Sequence, residues 1–370
     1  MKRLNKKLAL AMLSLGFAAL TPSIASADSF GSRDFDPCCN EPCRTDSCND
    51  YCSFEFGAEF LYWKPCVDDL DFAAVTFGNF EDSDNPFEVR YKSVCPEWEP
   101  GFRLTLRKSD AWKCFDLSFT YTWFNSDDAE SATARNGTHI AAVGLHPFLV
   151  EENPAVDNWF DFGRGKWEFN YQTFDLLFSY PFRCGSCHTI APFFGVEIVR
   201  FDQEWRERYG YNPNTGPSTV ALVKWESDFK GAGLKIGTDY SFLLCEGFSL
   251  FAKAAGAIVV GDSKTSNTQT EFTIDEAGNL SDEHFLRFKD DDCCHFIPGW
   301  HLQLGFQFED EACGCEYKLR FGYEMVQWYN LQNPRRWFEP VATGNVAQST
   351  HSNTTTVGFH GLFAGIEVQF

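Results

Sequence analysis

The last thirteen residues of the chain alternate apolar and polar side chains with a period of two. A β-strand turns successive side chains to opposite faces, so one face of this segment can meet lipid while the other meets water. This pattern predicts a membrane-spanning strand of a closed barrel; the alternative is an edge strand of a soluble sandwich. The apolar face forms a candidate C-terminal assembly signal of five residues: Leu362, Ala364, Ile366, Val368 and Phe370.

The N-terminal segment has the three parts of a secretory signal peptide. A basic start with Lys2, Arg3, Lys6 and Lys7 precedes an apolar stretch at 8–20 and a small-residue cleavage site at 25–27. We therefore predict three parts of the chain: a signal peptide at 1–27, a cysteine-rich periplasmic segment at 28–52 and the barrel at 53–370. Export to the cell outer membrane follows from this division.

Charge and aromatic content narrow the class further. The formal net charge is −21 and becomes −25 when the four basic residues of the signal peptide are removed. So acidic a chain is a poor partner for nucleic acid, whose phosphates require Lys and Arg. Aromatic residues nevertheless make up 17% of the sequence, and after the signal no apolar run is long enough for a transmembrane helix. A barrel accommodates both facts because it places apolar residues singly between polar ones.

The same alternation recurs in ten segments, beginning with Phe54, Phe56 and Phe60 against Glu55 and Glu59. Short connections are expected near residues 108, 182, 243 and 309, and long ones at 64–96, 125–164, 207–223, 263–297 and 330–353. Short periplasmic turns and long external loops are typical of outer-membrane barrels. The sequence thus predicts an all-β fold, a transmembrane antiparallel up-and-down β-barrel. The strand number is ten, or twelve if the apolar stretch at 139–150 forms a further hairpin instead of an inserted plug.

One segment departs from the regular pattern. Trp167, Phe169 and Tyr171 have the opposite parity to Phe174 and Leu176 just beyond them. We interpret this reversal as a β-bulge, or as a strand that begins later than the apolar pattern suggests.

The inward parity collects charges of both signs, which a dry interior would leave unpaired at considerable cost. This favours a hydrated channel: a porin that allows passive diffusion of small hydrophilic solutes and ions, with selectivity set at its constriction. The alternative is a narrow filled barrel that acts as a structural protein or surface adhesin without pore activity, since small barrels are filled by side chains. The candidate lumen-lining residues are Glu55, Glu59, Arg103, Arg107, Asp116, Glu197, Lys235, Asp239, Lys253, Lys318, Arg320, Glu324 and Glu367.

Three short motifs carry a family resemblance. They are EFLYWKP at 59–65, YQTFDL at 171–176 and FFGVE at 193–197. With them the chain resembles, from about residue 53 to 370, the major outer membrane protein family of Legionella and chlamydia-like bacteria. The resemblance implies an outer-membrane porin that also belongs to a disulfide-linked envelope. It brings no catalytic residues.

Fifteen cysteines in an exported chain predict disulfides, because the compartment is oxidising. Cys66 and Cys95 bracket the first long loop and could form a bridge within it, while Cys293 and Cys294 are expected to close the fourth. The odd total leaves a cysteine over, and internal staples and cross-links to other envelope proteins are both open. The candidate disulfide residues are Cys38, Cys39, Cys43, Cys48, Cys52, Cys66, Cys95, Cys184, Cys187, Cys245, Cys293, Cys294, Cys313 and Cys315.

The remaining motifs do not favour a cofactor. Residues 184–188 match a c-type haem attachment pattern, but they occupy a short turn without room for an apolar haem pocket. Zinc at these cysteines and Cys313 and Cys315 would compete with oxidation. No catalytic constellation stands out, so we expect neither enzyme activity nor a cofactor. The expected partners are outer-membrane lipid, other envelope proteins through disulfides, small hydrophilic solutes and further copies of the chain. The loop at 330–353 is the candidate adhesive surface.

Overall fold

A computed structural model describes residues 43–44, 53–77, 88–112, 114–135, 138–146, 149, 160–185, 187–211, 218–245, 247–275, 277–312, 315–334 and 353–370. The predicted signal peptide, most of the predicted cysteine-rich segment and most of the loop at 330–353 lie outside these residues. No helix within the described ranges is long and apolar enough to cross a membrane.

The described residues form fifteen strands. In chain order they are β1 (Cys43–Arg44), β2 (Phe54–Val67), β3 (Asp71–Phe77), β4 (Glu88–Ser93), β5 (Glu99–Trp112), β6 (Phe115–Thr133), β7 (Thr138–Ala142), β8 (Phe162–Ser179), β9 (Phe182–Cys184), β10 (His188–Tyr211), β11 (Ser218–Cys245), β12 (Phe248–Ile274), β13 (Leu280–Ala312), β14 (Cys315–Asn333) and β15 (Asn353–Gln369).

Ten of these strands make one closed antiparallel ring in the order β2, β5, β6, β8, β10, β11, β12, β13, β14 and β15. The last strand closes the ring by pairing with the first, from Val357 opposite Val67 to Gln369 opposite Glu55. The all-β barrel is therefore confirmed, with ten strands in the ring. One end carries the four short connections and is called the short-turn end; the other is called the long-loop end.

Two of the predicted long loops are mostly strand. β10 extends to Tyr211 and β11 begins at Ser218, so most of the loop at 207–223 is strand. In the same way β12 extends to Ile274 and β13 begins at Leu280. The prediction was wrong because these extensions alternate charged with small polar side chains, which hydrophobic periodicity does not detect.

For the same reason Cys293 and Cys294 do not close a loop. They lie inside β13, where the register with β12 shifts by one residue between Gly261 and Asp262. Cys294 adopts a φ of 97°, so this is a β-bulge that changes which side chains of β13 face outward.

A second, three-stranded sheet comes from the first two long connections. β3 lies between β4 and β7 and pairs antiparallel with both. The stretch at 139–150 thus contributes β7 to a separate sheet and adds no strand to the ring, as the plug alternative predicted. We call β3, β4, β7 and residues 143–146 the plug.

The outer and inner faces of the barrel exchange polarity part-way along its length. On β10 the outward residues are apolar up to Ile198, which is half exposed, and charged from Arg200 onward. The inward residues do the opposite, because Glu197 is succeeded on the same face by Val199 and Phe201, which are fully buried.

The predicted bulge near Gln172 is wrong, and so is the alternative of a later strand start, since β8 already begins at Phe162. β8 pairs without a register shift with β6 on one side and β10 on the other. Its parity reverses because Trp167, Phe169 and Tyr171 point into the lumen at a height where the lumen is apolar. A change of environment along the barrel axis, and no backbone irregularity, produces the reversal.

Candidate functional site in the barrel lumen

The structure places all thirteen predicted lumen residues on the inward parity of their strands. Near the short-turn end they form a network of ion pairs with a cavity of about 50 Å³ among them. Arg107 lies 3.4 Å from Glu55, and Arg320 lies 3.0 Å from Glu367 and 3.6 Å from Glu59. Charges that the sequence predicted to face water in a channel are in large part paired with one another.

Arg103 is the central cation of this network. Its Nη1 lies 2.6 Å from Glu59 Oε2 and its Nη2 lies 3.0 Å from Glu324 Oε2. The Glu324 carboxylate also accepts hydrogen bonds from the Trp63 indole at 2.9 Å and from Gln303 at 2.7 Å. His301 Nε2 lies 2.8 Å from the same carboxylate. Because β2, β5, β13 and β14 all contribute, these contacts tie four strands together across the lumen.

Lys235 forms a second centre, 2.9 Å from Asp175 and 3.0 Å from Glu197. Asp175 was missing from the sequence prediction, although its position between Phe174 and Leu176 gives it the inward parity. Oδ1 of Asp175 and Oε2 of Glu197 have no hydrogen-bond partner among the described protein atoms. Buried carboxylate oxygens of this kind are normally satisfied by water, so this part of the lumen is suited to bound water.

Above the ion pairs, towards the long-loop end, the lumen is filled by aromatic side chains. Trp328 on β14 donates a hydrogen bond of 3.3 Å to the Tyr171 hydroxyl on β8. Phe359 on β15 stacks on Trp63 and Tyr171, with ring centroids 5.6 and 5.1 Å apart. Phe201 on β10 meets Trp328 edge-on at 5.6 Å. These five residues define the aromatic layer, and a cavity of about 30 Å³, room for roughly one water, lies beneath it.

The sequence analysis missed the aromatic layer although it held a clue to it. Trp63 was not assigned to the lumen, and the reversed parity of Tyr171 was attributed to the backbone. Both residues share their parity with charged inward residues nearer the short-turn end, such as Glu59 and Asp175. An inward aromatic at that parity predicts a packed lumen once the strand is known to be regular.

The plug docks into the long-loop mouth against inward side chains of the barrel. The Tyr209 hydroxyl contacts the Phe72 carbonyl, accepts a hydrogen bond of 3.3 Å from the Val143 amide and lies 2.7 Å from the Glu207 carboxylate. Burial and the neighbouring Glu207 raise the pKa of Tyr209 well above its ordinary value. Tyr209 is therefore neutral and can keep this position at any physiological pH.

Residues 143–146 complete the docking. The Gln269 amide donates to the Gly144 carbonyl at 3.1 Å and accepts from the His146 amide at 2.7 Å. A Cβ at position 144 would overlap the carboxylate of Glu207 and displace it from its hydrogen bonds with Trp205 and Tyr209, each 2.7 Å long. The mouth and the plug are thus complementary in shape as well as in hydrogen bonding.

The predicted disulfide residues divide between the two ends. Cys184, Cys187 and Cys315 lie at the short-turn end, and Cys245 ends β11 there. Cys66 and Cys95 lie towards the other end as exposed thiols, so the bridge between them stays a prediction. Of the remaining candidates, Cys38, Cys39, Cys48, Cys52 and Cys313 lie outside the described residues. Within the described part of the chain, no group of three or more His, Cys, Asp or Glu residues could hold a metal ion.

A family comparison explains the barrel. The sequence profile of the Legionella pneumophila major outer membrane protein precursor matches residues 47–370. The chain belongs to this family. As a member of the Legionella major outer membrane protein family it is an outer-membrane protein, and the short-turn end of its barrel faces the periplasm. The family's match begins just before the first barrel strand and runs to the end of the chain.

Among curated proteins no match to this family member was found. Solved structures of outer-membrane barrels are similar to this chain only at low sequence identity and low TM-score. The outer membrane protease OmpT of Escherichia coli is 9% identical, with 88% of this chain and 99% of that chain covered and a TM-score of 0.40. A major outer membrane protein of Thermus thermophilus is 12% identical, with 86% and 100% covered and a TM-score of 0.30. At these scores the solved structures carry no argument about function.

Proposed function

We propose that this protein is a structural and surface-displaying barrel of the outer membrane whose lumen is closed to hydrated solutes. The observation that carries the proposal is the aromatic layer, in which Trp328 and Tyr171 meet from opposite sides of the ring. A hydrated ion or sugar needs a continuous polar path, and side chains that bond across the lumen interrupt it. Ten strands enclose a barrel narrow enough for such contacts.

The ion-pair network supports the same proposal. Arg103, Glu59 and Glu324 have side chains that are at most 9% exposed, so they are shielded from bulk water. Buried ion pairs that join strands hold a barrel in shape, and breaking one leaves an uncompensated charge. The long hairpins of β10 to β13 and the plug then form the part that the protein displays to the outside.

A porin for small hydrophilic solutes and ions is the second candidate. The observation that favours it is the population of inward charges of both signs, together with carboxylate oxygens on Asp175 and Glu197 that lack protein partners. For passage, the aromatic layer would have to open, and the plug would have to leave a path through the mouth. Net charge does not decide ion preference, which follows the constriction.

A role in a disulfide-linked envelope accompanies the proposal. Cys187 and Cys315, and the end of β11 at Cys245, gather at the periplasmic end, where neighbouring envelope proteins are within reach. If boiled, unreduced envelope already contains only the monomer, intermolecular linkage by these cysteines is excluded.

Single-channel recording of the mature, folded protein in a planar bilayer with a salt gradient tests the closed lumen. We expect no stable open steps. Steady steps from verified barrels would overturn the proposal in favour of the porin, and the reversal potential would then show which inward charges control the constriction.

A further inference from the structure

The outward face of the barrel, here called its wall, has an apolar belt that on β10 ends at Ile198. Beyond this belt, towards the long-loop end, the wall carries charges sorted into rows. Strand register places four carboxylates directly opposite one another across four adjacent strands of the ring. This outer acidic row consists of Asp127 on β6, Glu168 on β8, Glu204 on β10 and Glu226 on β11.

A row of cations lies two residues farther from the apolar belt. Lys166 on β8 is opposite Arg206 on β10, which in turn is opposite Lys224 on β11. We call these three residues the outer basic row. Charge therefore keeps its sign around the wall and changes it along the barrel axis.

Two shorter rows lie nearer the belt. Asp202 is opposite Asp228 and forms with it the inner acidic row; Arg200 is opposite Lys230 and forms the inner basic row. The next outward residue below Arg200 is the lipid-facing Ile198. The inner basic row thus lies at the boundary where the lipid chains end and their head groups begin.

This sorting sets like charges side by side around the wall and opposite charges one layer apart along the barrel axis. Like charges directly opposite one another on neighbouring strands destabilise a sheet. Ion pairs between rows offset part of the cost, such as Lys166 with Glu168 at 2.8 Å and Lys224 with Glu226 at 2.6 Å. Their side chains are between about a third and a half exposed, and exposed pairs contribute little. A partner with opposite charge in matching layers would offset the repulsion that remains between like charges within each row.

The wall also offers space for such a partner. A groove of about 630 Å³ runs over the two acidic rows, and its lining includes Asp202, Glu204, Glu226, Asp228 and Lys264. A second copy of this chain is a poor occupant. Copies that share a membrane present their rows at equal heights, so each row would meet its own sign.

We propose that this wall binds a phosphorylated glycolipid of the outer leaflet. Arg200 and Lys230 lie at the height of its head-group phosphates, which prefer Arg and Lys as partners. Divalent cations shared with those phosphates lie opposite the acidic rows. The outer basic row contacts acidic groups of the sugar portion. Each negative layer of the lipid then meets a basic row of the wall, and each layer of divalent cations meets an acidic row.

Native mass spectrometry of the full-length mature protein, released from mixed micelles containing Mg²⁺, tests this. The probes are bisphosphorylated lipid A and the same lipid with both phosphates removed. We expect retention of the bisphosphorylated lipid and about tenfold weaker retention for the double variant Arg200→Gln, Lys230→Gln, as the loss of charged hydrogen bonds implies. Chelation of Mg²⁺ should weaken retention by the natural protein as well.

The matched control is Lys64→Gln with Lys108→Gln, which removes two cations from the wall formed by β2 and β5 and should leave retention unchanged. Equal retention of the dephosphorylated lipid would overturn the proposal, because contact with the acyl chains would then suffice. Unchanged retention by the Arg200 and Lys230 variant would overturn it too. All these side chains point outward, so the variants should keep the barrel, which its melting temperature verifies; if the first double variant misfolds, Arg206→Gln with Lys224→Gln tests the outer basic row by the same readout.

Discussion

Trp328 and Tyr171 lie on strands five places apart in a ring of ten, yet the Trp328 indole donates a hydrogen bond of 3.3 Å to the Tyr171 hydroxyl. Strands at that separation face each other across the full width of the barrel. The contact therefore measures the lumen directly: at this height, two aromatic side chains span it.

Removing that span should open the barrel to ions. We expect the double variant Trp328→Ala, Tyr171→Ala to show conductance steps that the natural protein lacks, because large-to-small changes leave a cavity that the surroundings refill only partly. Planar-bilayer recording measures the effect. Tyr62 and Trp98, an outward pair stacked at 5.5 Å, provide the control when both are changed to Ala. A folded but silent lumen variant would locate the seal elsewhere, with the plug as the next candidate.

Arg103 should contribute far more to stability than an exposed arginine with a similar ion pair. Arg103→Met leaves the buried carboxylates of Glu59 and Glu324 without their Arg103 partner. We expect a loss of about 3–5 kcal/mol in the free energy of unfolding. Arg90 lies 2.7 Å from Glu88, but its side chain is 64% exposed, so Arg90→Met should leave the free energy of unfolding nearly unchanged. Urea unfolding in lipid vesicles, followed by tryptophan fluorescence, compares the two. Equal losses would show that the lumen network is well hydrated.

The plug should depend on Gly144. Gly144→Ala places a methyl group against the Glu207 carboxylate, and we expect faster hydrogen exchange of the backbone amides at 138–146 as the segment leaves the mouth. Gly210→Ala is the matched control, since no atom lies within 4 Å of a Cβ at that position. If exchange rises equally in both variants, the plug is not held at Gly144.

Glu204 should stay charged into acid. Burial alone would raise its pKa, but hydrogen bonds from Arg206 and Lys224 prevail and lower it. The stabilisation from a lowered carboxyl pKa is present above the ordinary value and is lost as the pH falls through the lowered one. Carboxyl chemical shifts followed by NMR should show Glu204 titrating below an ordinary glutamate, and Arg206→Gln should bring its pKa back up. A titration at the ordinary value would argue that the outer rows are not paired in solution.

The sequence predicted the barrel because, along the whole apolar belt, every second residue is apolar and faces lipid. Such alternation indicates a membrane-spanning strand. It did not predict the upper barrel, where the strands continue in water and Arg200 takes the outward place that Ile198 holds below. Hydrophobic periodicity describes contact with lipid, so it ended at the belt and left β12 and β13 too short.

The lumen was predicted in part. Parity alone assigned Glu59, Arg103 and Glu324 to the inside, because inward and outward positions alternate strictly in regular strands. Which of them pair could not be predicted, since Arg103 and Glu324 are 221 residues apart in sequence and meet only after the ring closes. Nor could parity distinguish a wet lumen from one filled by Trp63 and Tyr171.

The exchange of polarity between the two faces has a mechanical consequence for the protein in its membrane. Sinking by even one layer would carry Arg200 and Lys230 into hydrocarbon, at a cost that reaches about 2–4 kcal/mol per residue at the midplane. Rising would strip lipid from Ile198 and Leu234, which are 50% and 69% exposed on the wall. The barrel therefore has one insertion depth in the membrane. Everything it holds above the membrane surface, the plug included, has a fixed height over the cell.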